Sequence, residues 1–367
     1  MKLLLVGTYM PEPLFDAFGK EGKKLNPAGQ NFYFRLHRAL KKVANVDVLS
    51  LVPPQPVSKD YSHFTIVERV SSKLNPFKSA IAMKKAYVSA HKKEAVDFVL
   101  YDSLNLQAAM AAKKIARHYG ALFLPVLTDD PRNITGVSSS YIRLCFSLSK
   151  DGDAYLALTP KLGEIFNKYK RRVLLFPGIV EEKKKLNAPR SGEYFYYGGA
   201  LFEKDGVGSM VRAYAASKSS IPLVISGHGQ MENELKEKAK EVPGLIFLGQ
   251  ISKDENAAYQ QYAALVINPR WYNESLEAVS VPSKDLEYLA NAKKIAATPC
   301  NLIERVYKNS IYWLPKTGDE IEKELTEIFQ NGAKQVPENH SMTKIQKEIG
   351  LESIGQGILK FLESLSE

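Results

Sequence analysis

Short apolar runs alternate with helix-forming segments along the chain, and this alternation limits the fold more than any other feature of the sequence. The first run, Lys2–Gly7, is apolar on both faces, as a strand is when helices cover both sides of a parallel sheet. The next segment carries apolar residues at helical spacing: Phe32, Leu36, Ala39, Leu40 and Val43. Further strands are predicted at 46–52, 98–101, 121–127, 155–158 and 173–176, with a helix at 106–119. This order predicts a doubly wound α/β sheet.

The polar, charged segment 181–192 interrupts the alternation and contains Pro189 and Gly192, so it is predicted to be a linker. The alternation then restarts, with strands predicted at 194–197, 223–226, 245–248, 265–268, 294–298 and 311–314. Helices are predicted at 207–217, 231–241, 256–262, 283–290, 318–330 and 343–364. We therefore expect two Rossmann-like domains facing across a cleft, at 1–180 and 193–344, with a helix of about 345–367 packing back on the first.

The net charge of +10 is concentrated in the first half of the chain. Residues 1–180 carry 27 Lys and Arg against 14 Asp and Glu, and the remainder carries 23 against 26, which gives +13 and −3. This asymmetry favours an anionic partner such as a phosphorylated substrate or a membrane surface, although lysines also serve solubility alone. The expected basic patch comprises Lys20, Lys23, Lys24, Lys84, Lys85, Lys92 and Lys93.

Composition and cysteine usage indicate a globular protein of the cytoplasm. The hydrophobic fraction of 45% and charged fraction of 25% argue against disorder, collagen and coiled coil. Cys145 and Cys300 are the two cysteines, which argues against a disulfide framework and for a reducing compartment. The apolar run Leu3–Gly7 is far shorter than the roughly 20 residues that span a bilayer, and it lacks a secretory cleavage site.

The most informative motif is Asn268-Pro-Arg270 followed by the segment 281–289, Val-Pro-Ser-Lys-Asp-Leu-Glu-Tyr-Leu. Ser283 is predicted to cap a helix whose first N–H groups and dipole suit a phosphate. Lys284 adds a mobile positive charge there, and Arg270 at a strand end adds a bidentate one. Glu287 falls one turn further on the same side, where a carboxylate can accept hydrogen bonds from a ribose diol. An ordinary capped surface helix is the alternative.

These segments closely resemble retaining glycosyltransferases of the GT-B fold, family four, in the branch that builds bacterial capsules and exopolysaccharides. Three upstream segments of this sequence match the family in order: Tyr197-Gly-Gly199 with Lys204-Asp-Gly206, Ile225-Ser-Gly-His-Gly229, and Ile246-Phe-Leu-Gly-Gln250. The resemblance implies that Lys204 contacts the donor diphosphate, and that Gly199, Gly227, His228 and Gln250 lie on the donor side. It also implies a nucleotide-diphosphate sugar as donor, most often a UDP-sugar, and no other cofactor.

One position departs from the family pattern. The family has two glutamates separated by seven residues; Glu287 matches the second, but Val279 occupies the first. Glu274 and Glu277 are nearby acids that could compensate, and the alternative is that they belong to a solvated loop.

In the first domain, Pro27-Ala-Gly-Gln-Asn31 matches a glycine-rich loop that approaches donor and acceptor, with Gly29 allowing close approach of the backbone. A plain loop is the alternative. Asp129 and Asp130 follow a predicted strand, where the family often places a histidine or aspartate beside the acceptor. Helix capping before Pro131 is the alternative for these two acids.

No metal site is predicted. Asp151-Gly-Asp153 resembles a metal-binding pair, but it precedes a strand, and the six histidines show no ligand spacing. Lys204, Lys284 and Arg270 are instead expected to neutralise the leaving diphosphate, with the acceptor hydroxyl attacking from the same face. The expected acceptor is a glycan or a lipid-linked molecule, and an anionic membrane surface is a further expected partner. An inverting GT-B transferase and a catalytically inert GT-B partner subunit stay open, whereas a nucleic-acid binder lacks any recognition motif.

Overall fold

Two parallel sheets organise the chain, one in each of two units. The computed structural model describes residues 1–21, 23, 25–54, 61–69, 76–91, 94–134 and 136–366. The first unit comprises Met1–Ile179, Ala278–Ser280 and Leu351–Glu367, and the second comprises Val180–Glu277 and Val281–Gly350.

The sheet of the first unit has seven parallel strands in the order β3-β2-β1-β4-β5-β6-β7. Its strands are β1 Lys2–Gly7, β2 Asn45–Val52, β3 Phe64–Glu68, β4 Phe98–Asp102, β5 Leu122–Leu127, β6 Tyr155–Ala157 and β7 Val173–Leu175. The helices between them are α1 Glu12–Lys20, α2 Pro27–Lys41, α3 Pro76–Ala90, α4 Leu106–Tyr119, α5 Ser139–Ser149 and α6 Pro160–Phe166. Strand order reverses between β1 and β4, so the carboxyl ends of these two strands form the switch point where open α/β sheets bind ligands.

The local sequence explains where the helices of this unit begin and end. Asn26 and Asn105 cap α2 and α4, each accepting a hydrogen bond from the backbone N–H three residues on. Gly120 ends α4 in the left-handed conformation at φ 68°, which costs glycine little. The apolar face of α4 is buried with β1 and β4, through Ala108, Ala112 and Ile115.

The sheet of the second unit has six parallel strands in the order β10-β9-β8-β11-β12-β13. Its strands are β8 Phe195–Ala200, β9 Leu223–His228, β10 Leu245–Phe247, β11 Leu265–Asn268, β12 Ile295–Ala297 and β13 Tyr312–Trp313. Its helices are α7 Val207–Ser217, α8 Glu232–Glu241, α9 Lys253–Tyr262, α10 Glu274–Glu277, α11 Ser283–Asn291, α12 Asn301–Tyr307, α13 Gly318–Gln330 and α14 Met342–Ile349. Its core includes Phe195 and Tyr214, whose ring centroids lie 5.0 and 5.4 Å from the ring centroid of Phe329.

The chain ends in two helices, so the single helix predicted at 343–364 is wrong. The second of the two is α15, Leu351–Ser366. Gly350 separates them with an extended ψ of 163°, and a side chain there would overlap the backbone oxygen of Gln346. Helix α15 belongs to the first unit, where Gly355 allows it to approach the backbone of α2 at Ala39.

Residues 278–280 also cluster with the first unit, although their neighbours on both sides belong to the second. Val279 is 5% exposed and lies in an apolar cluster with Leu127, Tyr155 and Phe166. The first position of the family's glutamate pair is therefore an apolar core position in this chain. Within the described part of the chain, no helix has both the length and the apolar character needed to cross a bilayer.

Candidate active site

Glycines at the carboxyl ends of β8 and β9 leave room for a lysine from α11. A Cβ at Gly199 would overlap the Cε of Lys284, so the lysine side chain lies directly against the glycine backbone. Gly227 has φ 143°, a conformation that other residues rarely adopt, and a Cβ there would overlap the carbonyl oxygen of Gly199. The two glycines thus bring the ends of neighbouring strands together beneath Lys284.

The Lys284 ammonium group lies against Tyr197 and Asp205. Its Nζ donates to the Tyr197 hydroxyl at 2.6 Å, lies 4.6 Å from the ring centroid, and is 3.4 Å from Asp205 Oδ1. Burial lowers the pKa of Lys284, while the Asp205 carboxylate acts in the opposite direction. The side chain is 18% exposed, so this cation is held in place and remains accessible.

Two acids hold the polar groups at the carboxyl end of β11. Arg270 pairs with Glu277, which is 1% exposed. Asn268 donates through Nδ2 to Asp285 Oδ1 at 2.6 Å, and burial raises the pKa of Asp285 to about 6. The solvated-loop alternative is therefore wrong for Glu277, whereas Glu274 is exposed at the start of α10.

This cluster contains unused hydrogen-bonding capacity. Six buried side-chain atoms lack a hydrogen-bond partner among the described residues: Asp205 Oδ2, Asn268 Oδ1, Arg270 Nε, Glu277 Oε2, Asp285 Oδ2 and Thr298 Oγ1. Buried polar atoms are nearly always hydrogen-bonded to protein, water or ligand. Sequence reasoning missed Asn268 and Asp285 as members of this cluster, because both partners come together only through tertiary packing.

Ser283 does not cap α11, contrary to the prediction. Pro282 occupies the N-cap position, no side chain caps the helix, and Ser283 is its exposed first residue. The first-turn N–H groups thus lack a side-chain cap within the described structure, next to Lys284.

The loop carrying Lys204 is attached to the segment carrying Arg270. The backbone oxygen of Lys204 accepts a hydrogen bond from Trp271 N at 2.9 Å. Gly206 (φ 74°) packs so closely on Pro269 that a Cβ would overlap its carbonyl oxygen. The Lys204 side chain is exposed, with Nζ 5.8 Å from the Phe202 ring centroid.

The other predicted donor-side residues differ in how far their side chains are exposed to solvent. Glu287 is partly buried on α11, and its charge contributes, after burial, to the raised pKa of Tyr196 and of Tyr288. His228 is exposed, and its Nδ1 lies 2.7 Å from Glu232 Oε2. Gln250 is exposed and follows Gly249, whose carbonyl accepts a hydrogen bond from Gly227 N at 2.8 Å.

In the first unit, Gly29 lies in a helix and the predicted loop is wrong. Helix α2 begins at Pro27, and Gly29 N donates to the capping Asn26 side chain at 3.1 Å. A Cβ at Gly29 would lie 2.8 Å from Asn26 Nδ2, so the glycine accommodates the cap. Proline at the first helical position and asparagine before it were the signal for this helix start.

The two aspartates after β5 are engaged locally. Asp130 accepts from Arg132 N and from Arg132 Nε, both at 2.9 Å, and so caps the short 3₁₀ turn Pro131–Asn133. Asp129 is partly exposed and accepts from the Asp130 backbone N–H at 2.7 Å. The capping alternative thus describes the contacts of Asp130.

The remaining predicted groups have structural contacts or fall outside the described residues. Asp151 pairs with Lys113, and Asp153 accepts from Phe123 N at 2.8 Å. Over the described ranges, no three His, Cys, Asp or Glu side chains are grouped to hold a metal ion. In the expected basic patch Lys23 and Lys85 are exposed and Lys84 is partly buried, whereas Lys24, Lys92, Lys93 and the Lys20 side chain are outside the described part.

Two doubly wound parallel sheets, with cations at the strand ends of the second, define an α/β protein suited to a phosphorylated ligand. Residues 179–348 match the family profile described as "Glycosyl transferases group 1". The second unit thus carries the domain of this family, and the chain is a glycosyltransferase of the GT-B fold that uses nucleotide-diphosphate sugars. The branch that builds capsules and exopolysaccharides stays a prediction.

Solved structures agree over nearly the whole chain. Anabaena Alr3699/HepE in complex with UDP and glucose is 12% identical, with TM-score 0.66, covering 99% of this chain and 100% of that one. Sucrose-phosphate synthase from Thermosynechococcus elongatus is 10% identical, with TM-score 0.65 and coverage of 100% and 99%. The lipopolysaccharide outer core galactosyltransferase WaaB is 12% identical, with TM-score 0.61 and coverage of 98% and 100%. Such identities establish the fold alone. No curated protein matches the chain.

Proposed function

We propose that this glycosyltransferase moves a sugar from a UDP-sugar to a glycan or lipid-linked acceptor, with retention of configuration and without a metal ion. The observation that carries the proposal is the half-buried Lys284 ammonium group beside the uncapped start of α11. Breaking the bond between sugar and diphosphate places negative charge on the departing phosphate, which cations and backbone N–H groups stabilise. Lys284, Arg270 and Lys204 are the cations, and the first turn at Ser283 supplies the N–H groups.

The six unpartnered polar atoms of this cluster support a polar ligand over an apolar one. The Glu287 carboxylate, one turn beyond Lys284, binds the ribose diol. His228 is the last residue of β9, Gln250 follows β10, and both lie on the side of the base. UDP is the favoured nucleotide because it is the one named for HepE in its complex with glucose.

Retention requires the acceptor hydroxyl to attack from the face that the diphosphate leaves. In this proposal the proton passes to the departing phosphate oxygen, and no carboxylate acts as nucleophile. The apolar environment of Val279 supports this choice, since an acid at the first position of the family pair would lose its hydration. An inverting transferase would require a general base, and product anomer assignment by NMR separates the two mechanisms.

Helix α3 supports an acceptor that is presented by an anionic membrane. Phe77 and Ile81 are 59% and 45% exposed one turn apart, and the exposed Lys78 and Lys85 lie on the same helix. Apolar residues bordered by lysines are typical of a helix that lies on an anionic lipid surface. We therefore place the enzyme at the inner face of the plasma membrane, in the synthesis of a surface polysaccharide such as a capsule.

Calorimetry with UDP tests the donor site. The parent protein should bind UDP, and Lys284→Ala should weaken binding and lower donor turnover about 10- to 150-fold, the effect of one charge-assisted hydrogen bond. Lys240→Ala is the matched control, because Lys240 pairs with Glu237 on α8 of the same unit. Activity that a chelator abolishes and magnesium restores would refute the metal-independent mechanism. UDP binding without any donor hydrolysis would favour a catalytically inert partner subunit.

A further inference from the structure

A carboxyl group at the switch point of the first unit takes no part in the donor site. Asp102 is the last residue of β4 and lies next to Gly7, the last residue of β1. A Cβ placed on Gly7 would lie 3.5 Å from the Cβ of Asp102. Strand order reverses between these two strands. Open parallel sheets bind ligands at this position, because the loops on either side diverge there.

No cation pairs with the Asp102 carboxylate in the described structure. Asp102 Oδ1 accepts from Leu104 N at 3.0 Å, which engages one of its two oxygens. The Tyr33 hydroxyl from α2 lies near the carboxylate, is buried, and makes no hydrogen bond of standard geometry with a described residue. The Ser103 hydroxyl is fully buried and also lacks a described partner. Asp102 is partly exposed, so a ligand can reach this residue, with the two buried hydroxyls beneath the surface.

These groups restrict the chemistry of a ligand. A carboxylate without a cationic partner repels phosphate, so the bound part of the ligand is uncharged. One carboxylate with nearby hydroxyls offers both acceptors and donors, which suits adjacent hydroxyl groups of a sugar ring. We infer that Asp102, Tyr33 and Ser103 form a subsite that binds the hydroxyls of a neutral sugar in the acceptor. This inference rests on the proposed transfer to a glycan acceptor.

The ionisation of Asp102 gives the subsite a signature. Burial raises the pKa of Asp102 to about 6, while the Leu104 N–H and the Tyr33 hydroxyl act in the opposite direction. The titratable groups that face it are Tyr33 from α2, with Tyr141 and Cys145 from α5. Burial raises the pKa of all three, to about 11 for Cys145, so they stay neutral near pH 6. Sugar binding that needs the carboxylate should therefore weaken as the pH falls through about 6.

Saturation-transfer NMR on the full chain tests the subsite. The probes are methyl α-glucopyranoside, methyl α-galactopyranoside and methyl α-mannopyranoside, each with saturating UDP at pH 7.5 and pH 5. We expect at least one sugar to bind at pH 7.5, and Asp102→Asn to weaken it about tenfold or more and to remove the pH dependence. Tyr33→Phe should weaken binding and shift the pH dependence to higher pH, because the Tyr33 hydroxyl lowers the pKa of Asp102.

The control is Asp97→Asn, an exposed aspartate just before the other end of the same strand, which accepts from Lys2 N. Thermal unfolding verifies that each variant is folded, and asparagine can retain the contact with Leu104 N. Absence of saturation transfer from all three sugars, or equal binding by Asp102→Asn and the parent, overturns the inference. Calorimetry with UDP reports on the donor site separately. If the parent protein does not bind UDP, the proposed function is refuted instead of this inference.

Discussion

Substituting Gly199 by alanine should disable Lys284 without removing its charge. Gly199 lies in β8 with ordinary strand geometry, so alanine adds no backbone strain there. Its Cβ, however, would overlap Lys284 Cε and would lie 2.8 Å from Nζ. The lysine must then leave the position in which it donates to the Tyr197 hydroxyl at 2.6 Å.

The size of the effect follows from what Lys284 loses. If the displaced ammonium group no longer reaches the diphosphate, one charge-assisted hydrogen bond is lost, worth about 1.5 to 3 kcal/mol. This corresponds to a fall of about 10- to 150-fold in kcat/KM for the donor. Gly199→Ala in the Lys284→Ala background should cause almost no further loss, because the side chain that it displaces is already absent.

A double-mutant cycle on donor hydrolysis measures this coupling. Gly357→Ala is the control, since a Cβ at that position in α15 meets no atom within 4 Å. Additive losses from Gly199→Ala and Lys284→Ala would refute the reasoning, because they would mean that the glycine acts independently of the lysine.

Three further expectations concern the nucleotide, the membrane and pH. Glu287→Gln should weaken UDP binding in calorimetry more than it lowers kcat, because a ribose contact is present before and after transfer. Vesicle sedimentation should show binding that rises with anionic lipid and falls as salt screens charges over about 8 to 10 Å. The double substitution Lys78→Gln with Lys85→Gln should lower binding to anionic vesicles roughly tenfold or more and leave donor hydrolysis unchanged. Equal binding of the parent to neutral and anionic vesicles would refute this docking. Burial raises the pKa of Asp285 from 3.8 to about 6, so protonated Asp285 favours the folded state. This contribution to the free energy of unfolding is fully present below pH 3.8 and is lost as the pH rises through about 6. Relative to the parent, Asp285→Asn should therefore gain about 3 kcal/mol of unfolding free energy between pH 4 and pH 8 in denaturant titrations; a pH-independent difference would contradict it.

Local signals in the sequence predicted the α/β alternation and many of its elements, but several helices needed tertiary context. The helix 207–217 and the strand 265–268 were predicted with the bounds that the structure has. Helix α3 was missed because Phe77 and Ile81 lie on its exposed side, so the sequence lacks the clear apolar and polar faces of an amphipathic helix. Helix α6 carried a readable signal, since Thr159 caps it and Pro160 is its first residue.

The candidate cations were selected from the sequence because each lies in a short motif, whereas the residues that contact them were not. Tyr197 and Asp205 are 87 and 79 positions away from Lys284 along the chain and reach it only through strand order and a close turn. Asp285 looks like a surface residue of an amphipathic helix, yet it is fully buried against Asn268. Spacing along a helix does not determine which face the rest of the protein covers.

The charges of this cluster imply that nucleotide binding takes up a proton. Lys284 and Arg270 face three carboxyl groups, Asp205, Glu277 and Asp285, so two cations alone do not leave a surplus of positive charge for a diphosphate. Asp285 has a pKa of about 6, and an anion bound nearby favours its protonated form. UDP affinity should therefore rise as the pH falls from 8 toward 6, and calorimetry in buffers of different ionisation enthalpy should detect proton uptake. Asp285→Asn should abolish both effects, and uptake that persists in this variant would assign the proton to another group.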